Sequence, residues 1–107
     1  MSKLTQLNRS IQGKVALVTG AASGMGRATA FLFADEGAQV AVVDVNRQGV
    51  EDVVGEIQKA GGQAQGWTLD LRDPKGINEL VKAVRERFGG IDILVNNAGI
   101  SRPAPLE

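Results

Sequence analysis

"TGAASGMGRA", Thr19 to Ala28, sets three glycines among small residues directly after the apolar run "VALV". A segment this poor in side chains has little to bury and loses conformational freedom when it orders. It suits a flexible linker, a bare tight turn, or a backbone surface that something must approach closely. The flanking sequence decides among the three.

Upstream, "KVALVTG" (Lys14 to Gly20) is continuously apolar rather than alternating, the habit of strands buried on both faces of a parallel sheet. Downstream, Met25 to Glu36 reads as a helix closed by Gly37, a residue suited to a left-handed cap. "QVAVVDV" (Gln39 to Val45) is a second buried strand. The next helix, Arg47 to Ala60, carries Val50, Val53, Val54 and Ile57 on one stripe and stops at Gly61-Gly62. "QAQGWTLDL" (Gln63 to Leu71) is a third strand, interrupted by Gly66. Asp73 followed by Pro74 is a helix start, and Ile77, Leu80, Val81, Val84 and Phe88 repeat the stripe as far as Gly89-Gly90. "IDILVNNAG" (Ile91 to Gly99) is a fourth strand running into a polar turn. This alternation predicts an α/β fold with right-handed crossovers and a parallel sheet.

The linker reading falls away in that context. The glycines sit where the first strand hands over to the first helix, the place where a Rossmann-type fold holds a pyrophosphate. Without Cβ atoms, backbone N–H groups can touch phosphate oxygens while the helix N-terminus supplies partial positive charge. The spacing is T-G-x-x-x-G-x-G, on Thr19, Gly20, Gly24 and Gly26, rather than G-x-G-x-x-G. Asp44 ends the second strand, 18 residues after Gly26. A carboxylate there can accept from the adenosine ribose hydroxyls and repels a 2′-phosphate. Ser23 is neutral, so the loop offers no cation to such a phosphate. Both features favour NAD over NADP, and Arg47 nearby works mildly against them. Taken alone, Asp44 also suits a strand-end turn or a helix cap. Asp70, near the end of the third strand, and "NNAG" (Asn96 to Gly99) at the end of the fourth place four polar or glycine-rich strand ends on one sheet edge.

Composition bounds the rest. At 107 residues the chain is one domain, and 43% hydrophobic with 22% charged residues argues for a folded globule. Twelve basic and twelve acidic side chains cancel, leaving no electrostatic footprint for nucleic acid or an anionic membrane. The absence of cysteine and histidine removes disulfides, thiolate chemistry and the commonest metal ligands and general base, and no metal site is expected. The polar start "MSKLTQLNRSIQGK" has no apolar signal core and no run reaches membrane-spanning length, which fits a cytoplasmic protein.

Together, "TGAASGMG", the aspartate ending strand two, "LDL" and "NNAG" resemble the classical short-chain dehydrogenases/reductases, over Lys14 to Ser101. The resemblance implies a doubly wound Rossmann sheet of strand order 3-2-1-4, the first two helices on one face and the third on the other. It divides the chain into an N-terminal arm, 1–13, and an NAD-binding half-domain, 14–107. It implies that Gly20, Gly24 and Gly26, with Ser23 and Met25, hold the pyrophosphate region. Asp44 would hold the adenosine ribose, and Asp70 with Leu71 the adenine. Asn96 and Asn97 would buttress the sheet and bring Ala98 and Gly99 to the ribose on the nicotinamide side. The implied reaction is hydride transfer between NAD(H) and a small alcohol or carbonyl substrate, in a protein that forms homo-oligomers.

The family's catalytic serine and Tyr-x-x-x-Lys pair find no counterpart: the sequence has no tyrosine, and Ser101 lies too close to "NNAG". No catalytic residue is therefore assigned. Three readings stay open at this point: the cofactor-binding part of a dehydrogenase, a short non-catalytic nucleotide-binding module, or an engineered half-domain. The fourth strand favours the first, because "IDILVNN" carries only Asp92 to blunt an outer edge. Trp67 reads as packing, and Arg27, Arg72 and Arg102 as solvated, with Arg72 near enough to reach an adenine.

Overall fold

Every residue of β1 (Val15–Thr19) is buried, so the strand that precedes the glycines is flanked on both edges and covered on both faces. The computed structural model describes residues 11–97. β1 runs parallel to β2 (Gln39–Asp44), with Val15 opposite Gln39 and Thr19 opposite Val43. β2 in turn runs parallel to β3 (Gln63–Thr68). The chain then crosses to the far side of β1, where β4 (Ile93–Asn96) pairs Ala16 with Ile93 and Thr19 with Asn96. The order β3-β2-β1-β4 is the one expected. The change of direction between β1 and β4 is a topological switch point, where open α/β sheets leave a crevice at the strand carboxyl ends.

Three helices cover the sheet: α1 (Gly24–Asp35), α2 (Arg47–Lys59) and α3 (Pro74–Phe88). Val18, Val40, Val42 and Ala64 pack against Ala30 of α1 and Val50, Val53 and Ile57 of α2. On the opposite face Val15, Leu17, Ala41 and Val43 meet Leu80 and Val84 of α3. The two-and-one layout matches the expectation. Burying a valine such as Val18 or Val53 stabilises the fold by roughly 1.5–3 kcal/mol. Trp67 meets Phe88 edge-on, ring centroids 6.4 Å apart, beside the α3-side core, so it packs as read.

Local chemistry explains the boundaries. Asn46 caps α2 by accepting from the Gly49 N–H, and Asp73 caps α3 by accepting from the Lys75 N–H with Pro74 in the first turn. Gly37 follows α1 at φ 96° and Gly89 follows α3 at φ 91°. Gly66 does not break β3. A Cβ there would lie 2.5 Å from Val50 Cγ1 and 3.2 Å from Val54 Cγ2, so the glycine lets α2 settle closely on the strand.

Three expectations are corrected. β3 stops at Thr68, not Leu71, because its partner β2 stops at Asp44; the Leu69 N–H to Asp44 carbonyl bond, 3.1 Å, is the last link. Asp70 and Leu71 therefore stand in the β3–α3 loop. β4 is shorter than the apolar run, since β1 offers it a partner only from Ala16 to Thr19. Asp92 does not blunt the outer edge of β4: its carboxylate turns inward and accepts from the Val15 N–H at 2.8 Å. Among the described residues no helix is long and apolar enough to cross a membrane.

Candidate functional site

Four chain segments converge at the carboxyl edge of the sheet on a cleft of about 580 Å³. Gly20 and Ser23 come from the β1–α1 loop, Met25 and Gly26 from the first turn of α1, and Asp44 and Val45 from the end of β2. Leu69, Asp70, Leu71 and Arg72 come from the β3–α3 loop, and Asn97 follows β4. Two other grooves are slightly larger, about 660 and 640 Å³, but neither lies at the switch point. The convergence of polar strand ends on one concave edge singles out the first.

The glycine loop is shaped for close approach. Gly20 and Gly24 adopt φ of 63° and 57°, a conformation that side chains with a Cβ resist. A Cβ on Gly24 would meet nothing within 4 Å, so open space lies beside that backbone. Gly26 serves packing instead. A Cβ there would collide with the Gly20 carbonyl, so this glycine lets α1 start hard against the end of β1. Ser23 stands at the N-cap of α1 without a side-chain cap, and no acidic residue occupies the first turn. The positive end of the helix dipole therefore faces the cleft with no anion in its own first turn.

Asp44 is half-buried and heavily bonded. Its Oδ2 accepts from the Ala22 N–H at 2.9 Å, and its Oδ1 accepts from the Val45 and Asn46 N–H groups at 2.7 and 3.2 Å. The carboxylate thus ties the glycine loop to the β2–α2 turn, a contact the sequence did not signal. A carboxylate offers about four acceptor positions, so about one remains, on Oδ2. A second fastening lies behind the first. A Cβ on Gly49 would sit 2.6 Å from the Ala22 methyl, so the missing side chain leaves a notch in α2 for it.

The β1–β4 seam is closed by Thr19, whose buried hydroxyl donates to Asn96 Oδ1 at 2.9 Å and accepts from the Asn97 N–H at 3.1 Å. The Asn96 side chain, together with the Asn97 backbone, therefore does the buttressing. Asn97 Nδ2 is buried without a hydrogen-bond partner, while Asn97 lines the cleft. A buried orphan donor at a cleft wall is a position a ligand oxygen can satisfy. Ala98, Gly99 and Arg102 lie outside the described residues.

Arg72, read as solvated, is exposed, and it also lines the cleft and grips Asp70, its Nη2 2.8 Å from Oδ2 and its Nε 3.1 Å from Oδ1. The Arg72 side-chain hydrogen bonds, helped by the bond from its backbone N–H, hold the Asp70 carboxyl down at about 2, and Asp70 pushes the guanidinium up in return. Arg27 pairs with Glu56 at 3.1 Å and lies over the Phe31 ring. Arg47 pairs with Glu51 on the surface of α2 at 3.2 Å and is absent from the cleft wall. Val45 and Leu69 were missed as wall residues, because in sequence they continue the apolar pattern of their strands.

A helix N-terminus beside a glycine-rich loop, an acidic β2 end, an orphan amide and apolar wall residues suit a dinucleotide that carries phosphates, ribose hydroxyls and flat rings. Comparison with known proteins agrees. The short chain dehydrogenase family model matches residues 14–107, and the chain belongs to that family of oxidoreductases. It is 45% identical over 96 residues to the 3-oxoacyl-acyl-carrier-protein reductase FabG of Thermotoga maritima, covering 90% of this chain and 39% of the relative. It is equally 45% identical over 97 residues to D-threitol dehydrogenase of Mycolicibacterium smegmatis, covering 91% and 37%. A crystal structure of hydroxysteroid dehydrogenase from Escherichia coli superposes with a TM-score of 0.82 at 41% identity, covering 86% of this chain and 39% of that one. The chain thus spans about two fifths of the length of these relatives. Members of the family bind a nicotinamide dinucleotide.

Proposed function

We propose that residues 14–107 form the NAD-binding part of a dehydrogenase that moves hydride between NAD(H) and a small alcohol or carbonyl substrate. The observation that carries this reading is Asp44: an acidic strand end in the same cleft as the glycine loop, held there by the Ala22 N–H. Gly20 and Gly24, with the N–H groups of the N-cap Ser23 and of Met25 and Gly26 in the first turn of α1, receive the pyrophosphate. The remaining acceptor position of Asp44 Oδ2 takes a ribose hydroxyl, and the same carboxylate repels a 2′-phosphate. Asp70 and Leu71 border the adenine. Asn97, with Asn96 behind it and Ala98 and Gly99 after it, serves the ribose on the nicotinamide side.

When bound, the cofactor supplies the hydride acceptor or donor. These residues hold and orient it; no proton-transfer residue is assigned among them, and the sequence has no tyrosine. The preference for NAD is supported by Arg47, which is engaged with Glu51 and stands clear of the cleft. A cytoplasmic homo-oligomer acting on a small molecule completes the reading.

Calorimetric titration with NAD and NADP tests it. Tighter binding of NAD, with the preference narrowing in Asp44→Ala, is the expected result. Equal affinity for both cofactors, unmoved by Asp44→Ala, contradicts it.

A further inference from the structure

We propose that Arg72 is a specificity-determining residue of the cleft, its guanidinium forming the platform on which the adenine ring stacks. The inference rests on the reading of the cleft as a dinucleotide site and assigns a residue that reading does not use. Asp70, the acidic group expected at the adenine end, is already engaged. Its two oxygens receive Arg72 Nε at 3.1 and 3.2 Å, Arg72 Nη2 at 2.8 Å and the Arg72 N–H at 2.9 Å. Three N–H groups thus share the two oxygens, two of them from the guanidinium itself.

The carboxylate thereby holds its partner in place. Contacts from both oxygens to Nε and Nη2 fix the plane of the guanidinium as well as its position. The turn that carries the pair is short and anchored. The Asp73 N–H bonds the Asp70 carbonyl at 3.2 Å, and Asp73 itself caps α3. The Arg72 side chain is 87% exposed even so, leaving its flat faces free while it lines the cleft. Val45, 63% exposed, lines the same cleft. A flat cation held by its carboxylate, in a cleft that an uncovered apolar side chain also lines, is a setting for a neutral aromatic ring, which binds a guanidinium by stacking and by its quadrupole. The pair carries no net charge, so a doubly charged 2′-phosphate gains less from Arg72 than it would from a free guanidinium.

Calorimetric titration of the purified protein and of Arg72→Ala and Arg72→Lys tests the proposal. The ligands are NAD, NADP and nicotinamide mononucleotide, which lacks the adenosine half. The expected result is a loss of about 3- to 10-fold in NAD affinity for Arg72→Ala. Nicotinamide mononucleotide should bind the variant as it binds the parent, and Arg72→Lys should recover little, because lysine keeps the charge without the flat face. Unchanged NAD affinity in Arg72→Ala overturns the proposal. So does full recovery by lysine, an equal loss for the mononucleotide, or a loss confined to NADP. Failure of the unsubstituted protein to bind any of the three ligands overturns the reading of the cleft itself, an outcome distinct from all of these.

Discussion

Asp44 Oδ2 accepts the Ala22 N–H at 2.9 Å, across a sequence separation of 22 residues. That one bond joins two of the four segments that make the cleft: the glycine loop after β1 and the acidic end of β2. The residue to which the proposed function gives the choice between cofactors thereby also shapes the glycine loop, so that reading expects cofactor choice and loop geometry to be coupled.

The coupling sets what Asp44→Ala does. Three backbone N–H groups lose their acceptor, and the loss is expected to destabilise the fold by about 1–3 kcal/mol. NAD affinity falls by about tenfold or more, NADP affinity falls less, and the ratio between them moves toward NADP. Thermal melting and paired titrations read both effects. A preference that does not move contradicts the assignment of Asp44.

Gly24→Val separates ligand space from protein space. Nothing in the protein stands within 4 Å of the added Cβ, yet the backbone sits at φ 57°. The left-handed conformation costs a valine at least about 1–2 kcal/mol. The side chain fills the space assigned to the phosphates, so binding of both cofactors should be abolished while the circular dichroism spectrum remains that of a folded protein. Unaltered affinity would remove the loop from the site.

Gly49→Ala acts at one remove, because Gly49 does not line the cleft. Alanine favours the α2 helix by up to about 1 kcal/mol, but its methyl meets the Ala22 methyl 2.6 Å away and pushes the loop from Asp44. The melting temperature should hold within a few degrees while affinity for NAD and NADP falls together. Falling stability with unchanged affinity would show that the notch only packs the helix.

The Asp70–Arg72 pair has a pH signature. Asp70 is lowered from 3.8 to about 2 in the folded protein, so its contribution is present above the unfolded value and is lost as pH falls through about 2. The pair is therefore intact across the neutral and mildly acidic range. Carboxyl-carbon NMR titration should find a midpoint near 2 for Asp70, returning toward 3.8 in Arg72→Ala. A midpoint unaffected by that substitution would mean the two side chains do not hold each other in solution.

Much of the architecture was legible because it rests on long-range averages. Continuous apolar runs at "VALV" and "VAVV" and single stripes such as Val50, Val53 and Ile57 state which faces must be covered, and the order of elements does the rest. Where strands stop was not legible, because a strand ends when its partner does. Leu69 and Leu71 continue the pattern of β3 yet lie beyond it, packed against the α3-side core. Hydrogen-bond partners were equally hidden. Asp92 read as an edge charge and serves Val15, Asn96 supplies the side chain that meets Thr19, and Arg72, exposed as read, also holds Asp70. Each pairing joins residues whose approach depends on the folded loop, not on local composition.

The most direct test of the cleft is amide chemical-shift mapping of the protein as NAD is added. The account predicts perturbations confined to Gly20, Ser23 to Gly26, Asp44 to Asn46, Leu69 to Arg72 and Asn97. Perturbations centred instead on Phe31, Leu32 and Gly61, which line the larger groove between α1 and α2, or none at saturating NAD, would contradict it.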